Sequence, residues 1–150
     1  MHSFGSSNAC QGNTYVHDPS WNRGTGDEND LDNILVNNAL LDIYVKCGTM
    51  MYAYKLFGKM NVRDVVSWNI MIMGYNMHGH DNDVLSMFDS MCVEGIKPDE
   101  VNFIGILSSC SHVGFVSQGC KYLSQIDSVY SLVPTIEHSL CVIDMLDRFG

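Results

Sequence analysis

The stretch VVSWNIMIMGYNMHGHDNDVLSMFDSMCVEGIKPD, Val65 to Asp99, decides the fold. Trp68, Met71, Ile72 and Tyr75 recur at i, i+3, i+4 and i+7, the spacing of one helix face. Gly79 then interrupts, a residue type that accepts positive φ where a helix ends. Val84, Met87, Phe88 and Met91 repeat the spacing, and Gly95 and Pro98 close the unit because proline cannot continue a helix interior. Two amphipathic helices joined at a glycine make a helical hairpin.

The chain copies this hairpin. Upstream, Asn37, Leu40, Leu41 and Tyr44 hold the places of Trp68, Met71, Ile72 and Tyr75. Downstream the same places fall to Phe103, Ile106, Leu107 and Cys110, and then to Ser139, Val142, Ile143 and Leu146. The turn glycine keeps phase as Gly48, Gly79, Gly114 and Gly150. In the second helix Ala53, Phe57 and Met60 answer Val84, Phe88 and Met91, followed by Gly119, Leu123 and Ile126. Several columns agreeing at common shifts identify a helical repeat array, in which each hairpin buries its apolar face on its neighbours. Phe57 and Phe88 are therefore expected in the core. Val142, Ile143 and Leu146 are expected to pack back on the preceding repeat, with Leu140 and Met145 on the helix's other side.

These residues resemble the pentatricopeptide repeat family, in the plant subclass that alternates canonical, long and short repeats. Residues 34–64 resemble a short repeat through NALLDIYVKCG and YKLFGKMNVRD, and residues 65–99 a canonical one. Residues 100–135 resemble a long repeat through EVNFIGILSSCSHVGFVSQG, and residues 136–150, IEHSLCVIDMLDRFG, the first helix of another short repeat. The resemblance covers about three quarters of the chain. It implies an all-α fold, a right-handed superhelical array of helix-turn-helix repeats of tetratricopeptide-like kind.

Composition narrows the class. An apolar fraction of 46% is enough to build a folded core. The net charge of −9 works against contact with phosphates and favours a protein partner. Much of it precedes the repeats, at Asp18, Asp27, Glu28, Asp30 and Asp32. No apolar run approaches the length of a membrane span, so no membrane is expected as a partner. Residues 1–33 are rich in Gly, Ser, Asn and Asp without periodicity, and are expected to be disordered or unrelated to the repeats. They have neither the apolar core of a secretion signal nor the arginines of a transit peptide. In the family another long repeat normally precedes a short one, and only Asp30 to Asn33 resemble its end. A truncated gene product is expected on that ground, with self-association through uncapped ends.

The six cysteines contain no CxxC pair and no zinc-ligand spacing, so neither a metal nor a disulfide role is expected. His78-Gly79-His80 sits at the turn between helices and reads as solvated. Asp42, Asp64 and Asp99 fall at repeated places that account for them without chemistry. There is no GxSxG elbow, P-loop or GxGxxG. Some members of the subclass carry a C-terminal cytidine-deaminase-like domain with HxE and CxxC motifs; this chain has neither motif. No enzyme, catalytic residue or cofactor is expected.

Binding remains. Pentatricopeptide repeats are themselves an example of readers that assign one base to each helical repeat through two or three side chains. The family's specificity positions, the fifth and last residues of a repeat, carry over as Asn38 with Asp64 and Asn69 with Asp99. An amide offers donor and acceptor together, and a carboxylate accepts from a ring N–H such as uracil N3–H. The resemblance therefore implies a preference for U at both repeats. The second position sandwiches the base with an apolar side chain, here Leu35, Val66 and Val101. A structural reading stands beside this one: Asn69 as a helix cap, Asp64 and Asp99 as turn or N-cap residues of the next hairpin. The long repeat has Ile104 and Thr135 instead, which form no amide–carboxylate pair, and Leu140 of the fourth unit is unreadable. The implied function is single-stranded RNA binding in a mitochondrion or chloroplast, in support of processing or editing and with such proteins as partners. The rivals are a helical-repeat scaffold for a protein segment and a nonfunctional truncated gene product.

Overall fold

The structure, a computed structural model, describes residues 33–150; the expectation of disorder ahead of the repeats falls on residues that lie outside the described ones. The described residues form seven α-helices and no strand. They are α1 (Ile34–Lys46), α2 (Met50–Lys59), α3 (Val65–Met77), α4 (Asp81–Val93), α5 (Glu100–Val113), α6 (Val116–Ser128) and α7 (Ile136–Phe149). The all-α reading holds. Two compact units divide the chain within α3, after Gly74.

In the first unit Asn33 caps α1, its Oδ1 accepting from the Val36 N–H at 3.2 Å. Gly48, at φ 80°, reverses the chain, and the Thr49 hydroxyl donates to the Tyr44 carbonyl at 2.9 Å. These bonds satisfy backbone groups that a helix end would leave bare. α2 pairs with α1, burying Leu41, Tyr44 and Val45 with Ala53, Leu56 and Phe57. Phe57 meets Trp68 edge-to-face at 4.7 Å between ring centroids, and the Arg63 guanidinium lies 4.8 Å above the Phe57 ring. Such contacts add to burial, through the ring quadrupole. At Gly74, α1 and α3 come so close that an added Cβ would stand 2.8 Å from Val45 Cγ1. Valine's stiff χ1 leaves little room to yield. Cys47, the C-cap of α1, is disulfide-bonded, against the expectation from cysteine spacing.

The amphipathic expectation for α3 needs correcting. Ser67, Trp68, Met71, Ile72 and Gly74 are buried, and of its thirteen residues only Val66 and Met77 are exposed. α3 is covered on most sides. Its sequence is correspondingly apolar all round.

In the second unit α5 is the central helix, packed against α4, α6 and α7. Phe103, Ile106, Leu107 and Cys110 are fully enclosed, as the repeat columns predict. Phe88 contacts Phe103 at 5.3 Å and Tyr122 at 5.5 Å, and Phe103 contacts Tyr130 at 5.2 Å, all edge-to-face. Gly79 and Gly114 adopt φ 76° and 80° at the turns that follow α3 and α5. On α7 the buried face is His138, Val142 and Met145, whereas Ile143 and Leu146 are exposed. The expected face is thus rotated by one position. Met145 reaches α6 where Gly119 leaves space, a Cβ there standing 2.8 Å from its sulfur. His138 Nε2 is 2.9 Å from the Glu100 carbonyl and pins the same face inward.

Candidate nucleic-acid interface

The residue just before α3, α5 and α7 and the third residue of each of these helices are coupled by capping. Asp64 Oδ1 accepts from the Ser67 N–H at 2.9 Å, and Asp64 N–H donates to Ser67 Oγ at 3.2 Å. Asp99 Oδ1 accepts from Val101 and Asn102 N–H at 3.0 and 3.1 Å, while Asp99 N–H donates to Asn102 Oδ1 at 2.8 Å. Thr135 and His138 form the same reciprocal box at the start of α7. Each box satisfies amides that the first helical turn cannot pair internally. Asp64 and Asp99 are therefore cap residues, as the structural reading expects. Asn69 lies inside α3, as its fifth residue.

At Asp64 capping is only part of the arrangement. Asn38, in α1 of the same compact unit, donates from Nδ2 to Asp64 Oδ1 at 3.2 Å. Ser67 Oγ lies 2.6 Å from Asn38 Oδ1. Asn38 and Asp64, predicted from the sequence to act as a pair, are brought together. Asn38 is nearly enclosed at 6% exposure, and Asp64 is half-buried. Asn69 and Asp99 are each half-buried, the first in one unit and the second in the other. The apolar side chains at the second positions are open: Leu35 is 78% exposed, Val66 47% and Val101 41%. Ile104 and Thr135 are half-buried, with Thr135 engaged by His138. Sequence reading missed Ser67, Asn102 and His138. The signal was there in the D-x-x-S, D-x-x-N and T-x-x-H spacing, a variant of the capping-box pattern.

Burial pushes the Asp64 carboxyl up, but hydrogen bonds from Ser67 and Asn38 outweigh it and hold the group below the ordinary value of 3.8. A carboxyl depressed on folding contributes stability that is fully present above its unfolded-state pKa. That contribution is lost as pH falls through the lower folded-state value. The stability of the wild-type chain is therefore expected to fall across this acidic range. In Asp64→Asn that part of the slope should vanish, as read by urea titrations at stepped pH. An identical acid limb in both proteins would show that Asp64 is not depressed.

Among the described residues no group of three His, Cys, Asp or Glu side chains converges as a metal site, and no helix is long and apolar enough to cross a membrane. His78 and His80 are exposed at their turn.

Comparison with known proteins agrees with the repeat geometry. Residues 63–112 match the PPR repeat family and residues 38–65 match the PPR repeat. A pentatricopeptide repeat-containing protein of Arabidopsis thaliana is 47% identical over 116 residues, which are 77% of this chain and 18% of that protein. A second from the same plant is 44% identical over 118 residues, covering 79% of this chain and 20% of its own. A third, whose name includes "chloroplastic", is 40% identical over 115 residues, with 77% and 13% covered. The chain spans about a fifth or less of the length of these curated relatives. With capped helical hairpins, turn glycines at positive φ and matches of this strength, the chain belongs to the pentatricopeptide repeat family.

Proposed function

We infer that this chain binds single-stranded RNA selectively, one base to a repeat, with Asn38 and Asp64 reading one base and Asn69 and Asp99 the next. Members of the family are in general organellar RNA-binding proteins. The observation that carries the reading is the Asn38–Asp64 hydrogen bond at 3.2 Å beside open apolar side chains at Leu35 and Val66. An amide and a carboxylate held together offer a donor and an acceptor to a base edge, and the apolar pair offers its two faces a dry surface. On this reading residues 34–64, 65–99 and 100–135 are the short, canonical and long repeats, and residues 136–150 open the next. The preferred base at the two readable repeats is uracil. The setting is a mitochondrion or chloroplast, and the role is support of transcript processing or editing together with proteins of that machinery.

The net charge of −9 supports a second reading, a scaffold that holds a protein segment. Fluorescence anisotropy separates the two. Stacking or sandwiching contributes ~1–3 kcal/mol per base, so two readable bases are expected to give weak binding to oligo-U. Oligo-A should compete poorly at equal salt, and Asn69→Ala should weaken oligo-U binding. Equal competition by oligo-A would sink the base assignment.

A further inference from the structure

We propose that Ser67 is a positioning residue that sets the base preference of the Asn38–Asp64 pair by fixing which way the Asn38 amide faces. This deepens the RNA reading above and rests on it. A primary amide exposes a donor at one end and an acceptor at the other, and a half-turn about its last bond exchanges them. What an asparagine reads is therefore decided by whatever holds its orientation.

Here two groups hold it in the same sense. Ser67 Oγ stands 2.6 Å from Asn38 Oδ1 and 3.0 Å from Asp64 Oδ1. The hydroxyl has one proton, and the shorter distance assigns it to the Asn38 carbonyl. Ser67 Oγ in turn accepts from the Asp64 N–H at 3.2 Å, which orients its lone pairs that way and its proton toward Asn38. Asp64 Oδ1 collects the Ser67 backbone N–H at 2.9 Å and the Asn38 Nδ2 N–H at 3.2 Å. A carboxylate oxygen accepts and never donates, so the nitrogen end of the amide must face it. Ser67 is fully buried, which keeps water from competing for these bonds.

The locked arrangement leaves one Asn38 N–H and Asp64 Oδ2 for a ligand. With the carboxylate opposite ring position 3, uracil presents N3–H to it and the O4 carbonyl to the amide N–H. Cytosine presents a bare N3 lone pair to the carboxylate and an amine to the amide donor, so like groups meet at both places. A reversed amide would turn its carbonyl to that amine and relieve one of these two clashes, so that cytosine is rejected less strongly. Capping by itself is structural, since Asn102 and His138 hold equivalent boxes. It is the link from Ser67 to Asn38 that bears on base choice.

The test compares oligo-U with oligo-C on the full chain, as wild type, Ser67→Ala and Ser67→Thr. Wild type and Ser67→Thr, which keeps the hydroxyl, are expected to share one U-over-C ratio. In Ser67→Ala the ratio should narrow by about two- to tenfold, the scale of one net hydrogen bond. A purely structural role would weaken both oligonucleotides alike and leave the ratio unmoved, which overturns the proposal alone. A second measurement needs no RNA and no variant. In NMR spectra of the wild-type chain the Asn38 Nδ2 protons should exchange far more slowly than those of exposed Asn82. Equal rates overturn the proposal. A slow amide combined with oligo-U binding that Asn38→Ala leaves unchanged overturns the RNA reading, and the base-setting role with it.

Discussion

Phe88→Ala is expected to cost about 3–5 kcal/mol, the usual range for emptying a fully packed phenylalanine site. Phe88 is 2% exposed, with Phe103 and Tyr122 edge-on against its ring. The neighbours that would have to collapse into the cavity are themselves pinned. Phe103 is held by Tyr130 and His138, and His138 by the Glu100 carbonyl. Little relaxation is available, so the loss should sit at the upper end. Small domains are stable by only ~5–15 kcal/mol, so a fall of at least about 10 °C in Tm is expected. Circular dichroism melting of the variant decides it. An unchanged Tm would mean that the second helices do not present this column to the core.

Trp68→Ala should produce a loss of similar size, again ~3–5 kcal/mol. The indole is 1% exposed, with Phe57 against it and the Arg63 guanidinium 5.8 Å from its ring centroid. Truncation removes the floor on which Arg63 and Phe57 rest. The side chain also carries a cost of its own: its Nε1 is buried with no hydrogen-bond partner. A buried unpaired donor costs ~1–3 kcal/mol. Trp68→Phe gives up volume but discards that donor, so it should lose less than half of what alanine loses. Melting curves of the two variants side by side test both statements. Equal losses would show that the indole nitrogen is satisfied in solution.

Sequence reading placed the helices and turns well because both depend on local rules. The columns Ala53–Phe57–Met60 and Val84–Phe88–Met91 are all buried, since recurrence at helical spacing names a face directly. Gly48, Gly79 and Gly114 take φ between 76° and 80° because the turn after each first helix needs a left-handed residue. The pairing of Asn38 with Asp64 was legible only through the family's repeat frame. The residues are far apart in the chain, and no local rule joins them.

Where reading failed, the missing information was three-dimensional. α7 buries Met145 and not Ile143 or Leu146, although all three are apolar and fit overlapping helical patterns. The choice was made by the space over Gly119 and by the His138 bond to Glu100, which together fix the rotation of the helix about its axis. Ser67 belongs to the same class. Its spacing from Asp64 predicts a cap, but its 2.6 Å contact with Asn38 follows from α1 and the start of α3 lying side by side. The chain by itself therefore determined helices, turns and repeat phase, because hydrogen bonding and apolar periodicity act over a few residues. The tertiary structure alone decided which of several equivalent apolar faces turned inward and which polar side chains met, because packing allows only one close fit between neighbouring helices.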